Sequence, residues 1–189
     1  MNNYLNLLES PRPSVVIVTG PSGTGKTMQA CKAGQKQLYN GMYDRLVLTR
    51  PAVSSSGESH GFLPGDIEEK VNPWIKPSLD YLGPHQKKIE VCPLSFMRGR
   101  TFDKSWIIAD EMQNATKEQM LMLLTRIGFG SKLVIIGDPD QSDLDLSFGY
   151  TGLDDLLNRL VTSDEIAHVK LSNVYRSPVV REILNMYKS

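Results

Sequence analysis

The residues of this chain best suited to chemistry form one short, glycine-rich run near the start. Glycines let successive backbone N–H groups turn toward a phosphate, and a helix that begins directly afterwards adds the partial positive charge of its N-terminus. The lysine of such a run reaches the β- and γ-phosphates of a nucleotide, and the threonine after it coordinates Mg²⁺. A turn that serves packing alone is the alternative, and the length of the pattern argues against it. The predicted phosphate-binding loop consists of Gly20, Pro21, Ser22, Gly23, Thr24, Gly25, Lys26 and Thr27.

Two adjacent carboxylates, Asp110 and Glu111, follow the apolar run at 105–109. Open α/β sheets bind their ligands beyond the carboxyl ends of the strands, so both side chains are expected beside the phosphate-binding loop. Asp110 suits the coordination shell of Mg²⁺, whereas Glu111 suits a general base that polarises the attacking water. The alternative is an acidic pair that only solvates a loop.

A third candidate, Gln141, lies just after the apolar run at 132–137. An uncharged amide past the end of a strand can hydrogen-bond the γ-phosphate or the lytic water, so we predict that Gln141 senses the γ-phosphate. A calcium-binding loop starting at Asp138 is excluded because its sixth position is Asp143 instead of glycine and its twelfth is Gly149 instead of glutamate. The side chain of Asp143 is therefore expected to be solvated.

The elements that position these residues alternate along the chain. Short apolar, β-branched runs are typical of buried parallel strands, and the patterns between them are helical. This alternation predicts an α/β fold with a mostly parallel sheet covered by helices on both faces. The expected strands are 14–19, 45–49, 105–109, 132–137 and 167–171, with a further one at 89–92, and the expected helices are 26–39, 116–127 and 152–161. The second of these helices, at 116–127, begins with the capping-box residues Thr116 and Gln119.

Residues 51–100 interrupt the alternation and are too long for a simple connection. Part of this stretch, 64–75, carries a helical pattern that Pro73 and Pro77 limit or kink. No linker divides the sequence further. We therefore expect a single domain over residues 1–189 with an insertion at about 51–100.

Composition limits the class of protein. The 189 residues include 21 Lys+Arg against 21 Asp+Glu and 40% hydrophobic residues, as in ordinary globular proteins. Cys31 and Cys92 have no Cys or His neighbours at metal-binding spacing, so both are expected to be buried thiols. The sequence contains no apolar run of membrane-spanning length. A cytoplasmic protein is predicted, in the host cytoplasm if the source is a virus.

Several sequence blocks outside the phosphate-binding loop resemble the PhoH-like ATPases. These blocks are 48–53, 61–66, 97–101, 110–114, 124–130 and 137–141. The resemblance covers nearly the whole chain from about Val15 and would suit a compact, virus-type member. It implies a RecA-like P-loop NTPase fold, similar to the first domain of superfamily one helicases. It also implies ATP hydrolysis linked to RNA, with ATP and Mg²⁺ as cofactors.

The helicase-like resemblance also assigns roles to individual residues. Gln113 becomes a companion of the acidic pair, and Gln141 the γ-phosphate sensor. The segment around Arg176 looks like the one whose arginine touches the γ-phosphate, so Arg176 would stabilise transition-state charge. The alternative is a surface arginine at the head of the last helix. Relatives often place a glutamine before the first strand to read adenine, whereas the first glutamine here is Gln29.

Three arginines are candidates for contact with single-stranded RNA or DNA: Arg50, Arg98 and Arg100. Arg50 follows a strand on the ligand edge, and the other two flank a flexible stretch that ends in Phe102. Nucleic-acid backbones and stacked bases call for such groups. Two alternatives are equally open, because an arginine could instead reach a neighbouring subunit's nucleotide or pair with the acidic loops.

One RecA-like domain supplies only half of a helicase cleft. The resemblance therefore favours a homo-oligomeric ring, possibly a hexamer, in which a neighbour supplies the second wall. ATP hydrolysis coupled to RNA remodelling is the leading hypothesis. The alternatives are a nucleotide-gated RNA clamp with little turnover and a P-loop small-molecule kinase.

Overall fold

The computed structural model describes residues 2–51, 76–82, 88–144 and 149–186. Six strands lie within these ranges: β1 (Val15–Thr19), β2 (Arg45–Thr49), β3 (Ile89–Val91), β4 (Ser105–Ala109), β5 (Lys132–Gly137) and β6 (Ile166–Lys170). They form one sheet in the order β3-β2-β4-β5-β1-β6, and all neighbouring pairs are parallel. The predicted α/β fold with a parallel sheet is confirmed.

Helices connect and cover these strands. Their bounds are α1 (Asn2–Glu9), α2 (Lys26–Tyr39), α3 (Lys117–Leu124), α4 (Gly152–Asn158) and α5 (Pro178–Met186), and two 3₁₀ turns span Leu94–Met97 and Met112–Asn114. Residues 76–80 are also helical. Within the described ranges, no helix has the length and apolar character needed to cross a membrane.

The sheet has an apolar core on each face. Successive residues of β1 point to opposite faces: Val16 and Val18 pack in the core shared with α1 and α2, while Val15 and Ile17 pack in the core shared with α3 and α4. All residues of β1, β4 and β5 are buried. Burial on both faces explains why these strands are continuous apolar runs instead of alternating ones.

Most expected elements occur where the sequence places them. The bounds of α2, β2, β4 and β5 match the prediction, whereas α3 and α4 end earlier. The capping box of α3 is present, with Gln119 N donating to Thr116 Oγ1 at 3.3 Å and Thr116 N to Gln119 Oε1 at 3.0 Å. Cys31 and Cys92 are buried free thiols, as predicted. The helix expected at 64–75 lies outside the described residues, and the single-domain organisation stays a prediction.

Helix α1 was not predicted from the sequence, and a buried lysine holds it against the sheet. Lys132, the first residue of β5, is fully buried. Its Nζ donates to the carbonyls of Leu7 at 2.7 Å, Leu8 at 3.4 Å and Ser10 at 2.6 Å, at the C-terminal end of α1. Burial lowers the pKa of Lys132 to about 8. We call this arrangement of Lys132 and the three carbonyls the α1 anchor.

Candidate nucleotide-binding site

The glycine-rich loop runs from the end of β1 to the start of α2. Gly20, Gly23 and Gly25 have φ values of 138°, 86° and 81°, a region that side chains other than glycine rarely adopt. Gly25 is also the N-cap of α2. Because glycine has no side chain to cap a helix, the first N–H groups of α2 are left for another acceptor. The local conformation therefore suits an anion at the start of this helix.

Lys26 lies inside the loop. Its Nζ donates to the carbonyls of Gly20 at 2.5 Å and Pro21 at 3.0 Å. Burial lowers the pKa of Lys26, while the carboxylates of Asp138 and Asp110 oppose this effect. The ammonium group thus lies where loop carbonyls and acidic side chains meet, and phosphate oxygens would compete with the carbonyls for it.

The predicted metal-binding residues lie next to each other. Thr27 Oγ1 donates to Asp110 Oδ2 at 2.9 Å, and the backbone N–H of Glu111 donates to Asp110 Oδ1 at 3.0 Å. Burial, helped by the charge of Glu111, raises the pKa of Asp110 to about 6, and the two hydrogen bonds oppose the shift. A hydroxyl and a carboxylate are oxygen donors of the kind that Mg²⁺ prefers. The pair therefore fits the predicted ion.

Glu111 is held in a defined orientation by Gln113. The backbone of Glu111 has φ 55°, an uncommon conformation for a residue with a side chain, and such strain is concentrated at functional sites. Gln113 Nε2 donates to Glu111 Oε2 at 2.5 Å, and Gln113 Oε1 accepts from Asp138 N at 3.1 Å. Gln113 is therefore a positioning residue that links the ends of β4 and β5.

A second pair of contacts ties the same two loops together. Asn114 Nδ2 donates to Asp143 Oδ2 at 3.1 Å, and Asp143 N donates to Asn114 Oδ1 at 2.8 Å. Ser142 Oγ donates to the carbonyl of Gln113 at 3.1 Å. Asp143 is exposed, as predicted, and its carboxylate in addition forms one half of this link. The loop that carries Gln141 is thereby fixed to the loop that carries Glu111.

Arg176 lies against the phosphate-binding loop of its own chain. A Cβ placed on Gly23 would lie 2.7 Å from Arg176 Nε, and Tyr175 N donates to the carbonyl of Gly23 at 2.8 Å. The segment after β6 thus packs on the loop before α5 begins. Arg176 therefore packs against the phosphate-binding loop but is not among the residues that line the cavity, and its contact with the γ-phosphate stays a prediction.

The phosphate-binding loop and the residues that follow β4 and β5 border one cavity of about 530 Å³, a volume typical of small-molecule sites. Gly20 and Pro21 do not line it but accept hydrogen bonds from Lys26. The lining residues are Ser22, Gly23, Thr24, Gly25, Lys26, Thr27, Met28, Gln29, Tyr81, Asp110, Glu111, Gln113, Ile136, Gly137, Asp138, Gln141 and Tyr175. The structure therefore gathers the predicted phosphate, metal, base and sensor residues in one place.

The three candidate nucleic-acid arginines have different surroundings. The charge of Arg50 opposes the rise in the pKa of Asp110, so Arg50 lies near the cavity. Arg98 is exposed. Arg100 instead pairs with Glu90 at 2.5 Å and lies 4.5 Å above the ring of Phe102. Arg100 thus has an intramolecular ion pair, with a residue of β3 and not with the acidic loops, and the nucleic-acid contacts of all three arginines stay predictions.

Known proteins resemble this chain over nearly its whole length. A family model described as PhoH-like protein matches residues 2–188. A PhoH-like protein of Bacillus subtilis is 43% identical over 189 residues, covering 93% of this chain and 59% of the relative. Protein PhoH of Escherichia coli is 35% identical, covering 98% of this chain and 55% of the relative. This chain thus spans between half and three fifths of the length of these relatives.

A solved structure shows the same fold. The crystal structure of the Pif1 helicase from Candida albicans matches with a TM-score of 0.50 and 18% sequence identity. The match covers all of this chain and 43% of the helicase. At this identity the likeness concerns the fold alone, which is the α/β fold of the RecA-like P-loop NTPases.

Proposed function

This chain belongs to the PhoH-like family, and from that membership we propose that it binds ATP with Mg²⁺ and hydrolyses it, with turnover coupled to single-stranded RNA. The family and the fold together support a helicase-like nucleotide-binding P-loop protein. The observation that supports hydrolysis is the single cavity shared by the phosphate-binding loop, Asp110, Glu111 and Gln141. Each of these groups has a distinct part in the reaction.

Binding begins with the triphosphate. Backbone N–H groups of the loop and of the first turn of α2 would donate to the phosphate oxygens. Lys26 would exchange the carbonyls of Gly20 and Pro21 for the β- and γ-phosphates. Thr27 and Asp110 would hold Mg²⁺, which neutralises charge on these phosphates when it is bound.

The chemical step needs a base for water and donors for the transferred phosphoryl group. Gln113 donates a hydrogen bond to Glu111 Oε2, so Glu111 Oε1 can accept the proton of the attacking water. As the water oxygen bonds to the γ-phosphorus, the bond to the β-phosphate oxygen breaks and Glu111 accepts the proton. Gln141 and Arg176 would donate hydrogen bonds to the γ-phosphoryl oxygens, where charge must be stabilised.

Release of inorganic phosphate tests this proposal most directly. Purified protein with Mg²⁺ and ATP, without any acceptor molecule, should release phosphate, and single-stranded RNA should increase the rate. Release only with a small-molecule acceptor would identify a kinase. ATP binding without release, with RNA affinity that depends on ATP, would identify a nucleotide-gated clamp. Either result would reject the proposed hydrolysis.

Single-stranded RNA is the proposed nucleic-acid partner, with DNA as the alternative. Arg50 near the cavity and exposed Arg98 support it, because arginine contacts with phosphates supply much of nucleic-acid affinity. Fluorescence anisotropy with RNA and DNA oligonucleotides of equal length would separate the two. Arg98→Ala should weaken binding and its salt dependence, and an unchanged salt dependence would remove Arg98 from the interface.

We also propose a ring of identical subunits acting in the cytoplasm. In such a ring, possibly a hexamer, a heterologous contact would place a neighbour opposite each cavity. Exposed apolar side chains at Leu121 and Phe129, which are 65% and 93% exposed, support such a contact. Native mass spectrometry with and without an ATP analogue tests assembly, and a monomer with full activity would reject the ring.

A further inference from the structure

One amide in the cavity has no hydrogen-bond partner. Gln29, on the first turn of α2, is 5% exposed, yet within the described part of the chain neither its Nε2 nor its Oε1 is hydrogen-bonded. Buried polar atoms without partners are unfavourable and rare in folded proteins, so each one calls for an explanation. Thr49 Oγ1 and Trp106 Nε1 are also unpaired, but neither residue lines the cavity.

The other buried or half-buried side-chain amides of the described chain each make at least one hydrogen bond. Gln113 uses both ends of its amide, on Glu111 and Asp138. Gln35, also on α2, donates to a main-chain carbonyl. Gln29 is therefore distinguished from similar side chains by a donor and an acceptor that are both unused.

Gln29 lines the same cavity as the phosphate-binding loop and lies beside the start of α2. A Cβ placed on Gly25 would lie 3.4 Å from Gln29 Nε2 and 3.6 Å from Met28 Cε. Met28 and Tyr81 line the cavity beside Gln29, and neither carries a charged group of the kind that binds phosphates or Mg²⁺. Met28 has a flexible side chain that can yield to a ligand. An apolar side chain, an amide and an aromatic ring are the groups expected around a nucleobase.

We propose that Gln29 reads the base of the bound nucleotide and selects adenine. An amide pairs with adenine through two hydrogen bonds: its oxygen accepts from the exocyclic amine, and its nitrogen donates to a ring nitrogen. Both unused atoms of Gln29 would be satisfied at once. This inference rests on the proposed function, because it assigns the base specificity of the same ATP site.

Two substitutions of Gln29 separate base reading from a structural role. Gln29→Leu removes both hydrogen-bonding atoms at similar volume, so it should weaken ATP binding by about 5- to 150-fold, the range for loss of one bidentate base contact. Gln29→Glu leaves only acceptors at this position. Guanine presents two N–H donors on its pairing edge whereas adenine presents a donor beside an acceptor, so this variant should prefer GTP.

The experiment measures Kd values for Mg²⁺ complexes of ATP, GTP and inorganic tripolyphosphate. The wild-type chain should prefer ATP to GTP, Gln29→Leu should lose this preference, and Gln29→Glu should reverse it. Gln37→Leu, on the outer part of the same helix, should behave like the wild type. Thermal unfolding without ligand should show Gln29→Leu folded and at least as stable, since an unpaired amide is removed.

The results separate base reading by Gln29 from the proposed function. Wild-type ATP and GTP affinities that are equal, or a Gln29→Leu variant that keeps the wild-type ratio, would overturn base reading by Gln29 while leaving ATP hydrolysis standing. A Gln29→Glu variant that still prefers ATP would do the same. Failure of the wild-type chain to bind any of the three ligands would instead reject the proposed function itself.

Discussion

Two buried lysines of this protein make the same kind of hydrogen bond but have different roles. Lys26, in the cavity, and Lys132, in the α1 anchor, both donate to main-chain carbonyls. The carboxylates of Asp138 and Asp110 act on Lys26, whereas burial alone accounts for the lowered pKa of Lys132. Lys26 lines a cavity in which a ligand can replace its carbonyl partners, whereas Lys132 is fully buried and lines no part of that cavity. The surroundings, and not the side chain, decide which lysine serves binding and which serves stability.

The two regions are also the two ends of one strand. Lys132 begins β5 in the α1 anchor, and Gly137 ends β5 at the cavity. Substitutions at the two ends should therefore give opposite profiles, affecting either turnover and binding or the free energy of unfolding. The predictions that follow test this separation.

The largest effect is expected at the cavity from Glu111→Gln. Loss of the general base should lower ATP turnover by about 100- to 10,000-fold, while ATP affinity and the thermal midpoint stay near wild type. Steady-state phosphate release and equilibrium nucleotide binding measure the two quantities. Glu118→Gln, an exposed change on α3, is the matched control and should leave turnover unchanged. Turnover by Glu111→Gln at the wild-type rate would remove Glu111 from the mechanism.

The next effect concerns binding. Lys26→Ala removes charge-assisted hydrogen bonds to two phosphates, so ATP affinity should fall by about 100-fold or more. The free energy of unfolding should change by less than about 1 kcal/mol, because water in the open cavity can solvate the freed carbonyls. Isothermal titration calorimetry and urea unfolding give both values, with Lys32→Ala on the exposed side of α2 as control. A large loss of stability with unchanged ATP affinity would show that Lys26 serves stability instead of binding.

At the other end of β5, Lys132→Met should reduce stability instead. Methionine keeps the volume but leaves the carbonyls of the α1 anchor unpaired, which we expect to cost about 3 kcal/mol. ATP affinity of the folded variant should stay within about threefold of wild type, since Lys132 does not line the cavity. Urea unfolding compares this variant with Lys170→Met, an exposed change on β6. Equal stability of the two variants would show that the anchor contributes little.

The smallest predicted effect, taken per pH unit, is a pH dependence of the stability that Lys132 contributes. The pKa of Lys132 is about 8 when folded and about 10.4 in an unfolded chain. Between these values the unfolded state binds more protons, so stability should rise with pH by about 1 kcal/mol per unit. This gain is complete above the unfolded pKa and absent below the folded one. Because Lys132→Met lacks the titrating group, the difference between wild type and variant at about pH 7, 8.5 and 10 isolates it. A constant difference would contradict the prediction.

The sequence was sufficient for the fold and for the groups that follow strands. Parallel strands meet at one edge, so Asp110, Glu111 and Gln141 could be placed beside the phosphate-binding loop before any coordinates were available. Strands β1, β4 and β5 could also be identified from the sequence, because burial on both faces makes each of them a continuous apolar run.

What the sequence did not reveal depends on contacts between distant residues. Lys132 at the start of a strand has the appearance of a surface residue, and only the packing of α1 shows its three carbonyl partners. Asn114 and Asp143 form their link through the fold, with no local pattern to indicate it. The unpaired amide of Gln29 is likewise a property of its surroundings. The capping signal of Thr116 was local, and it was predicted.

The phosphate-binding loop packs against the segment that follows β6. A Cβ on Gly20 would lie 2.0 Å from the carbonyl oxygen of Leu171, and one on Gly23 would meet Arg176. These two glycines are therefore required by the segment after β6 as well as by any phosphate. For protein engineering, this means that the residues after β6 cannot be trimmed as a tail without altering the loop. Alanine at Gly20 or Gly23 would report first on the docking of that segment, even in the absence of nucleotide.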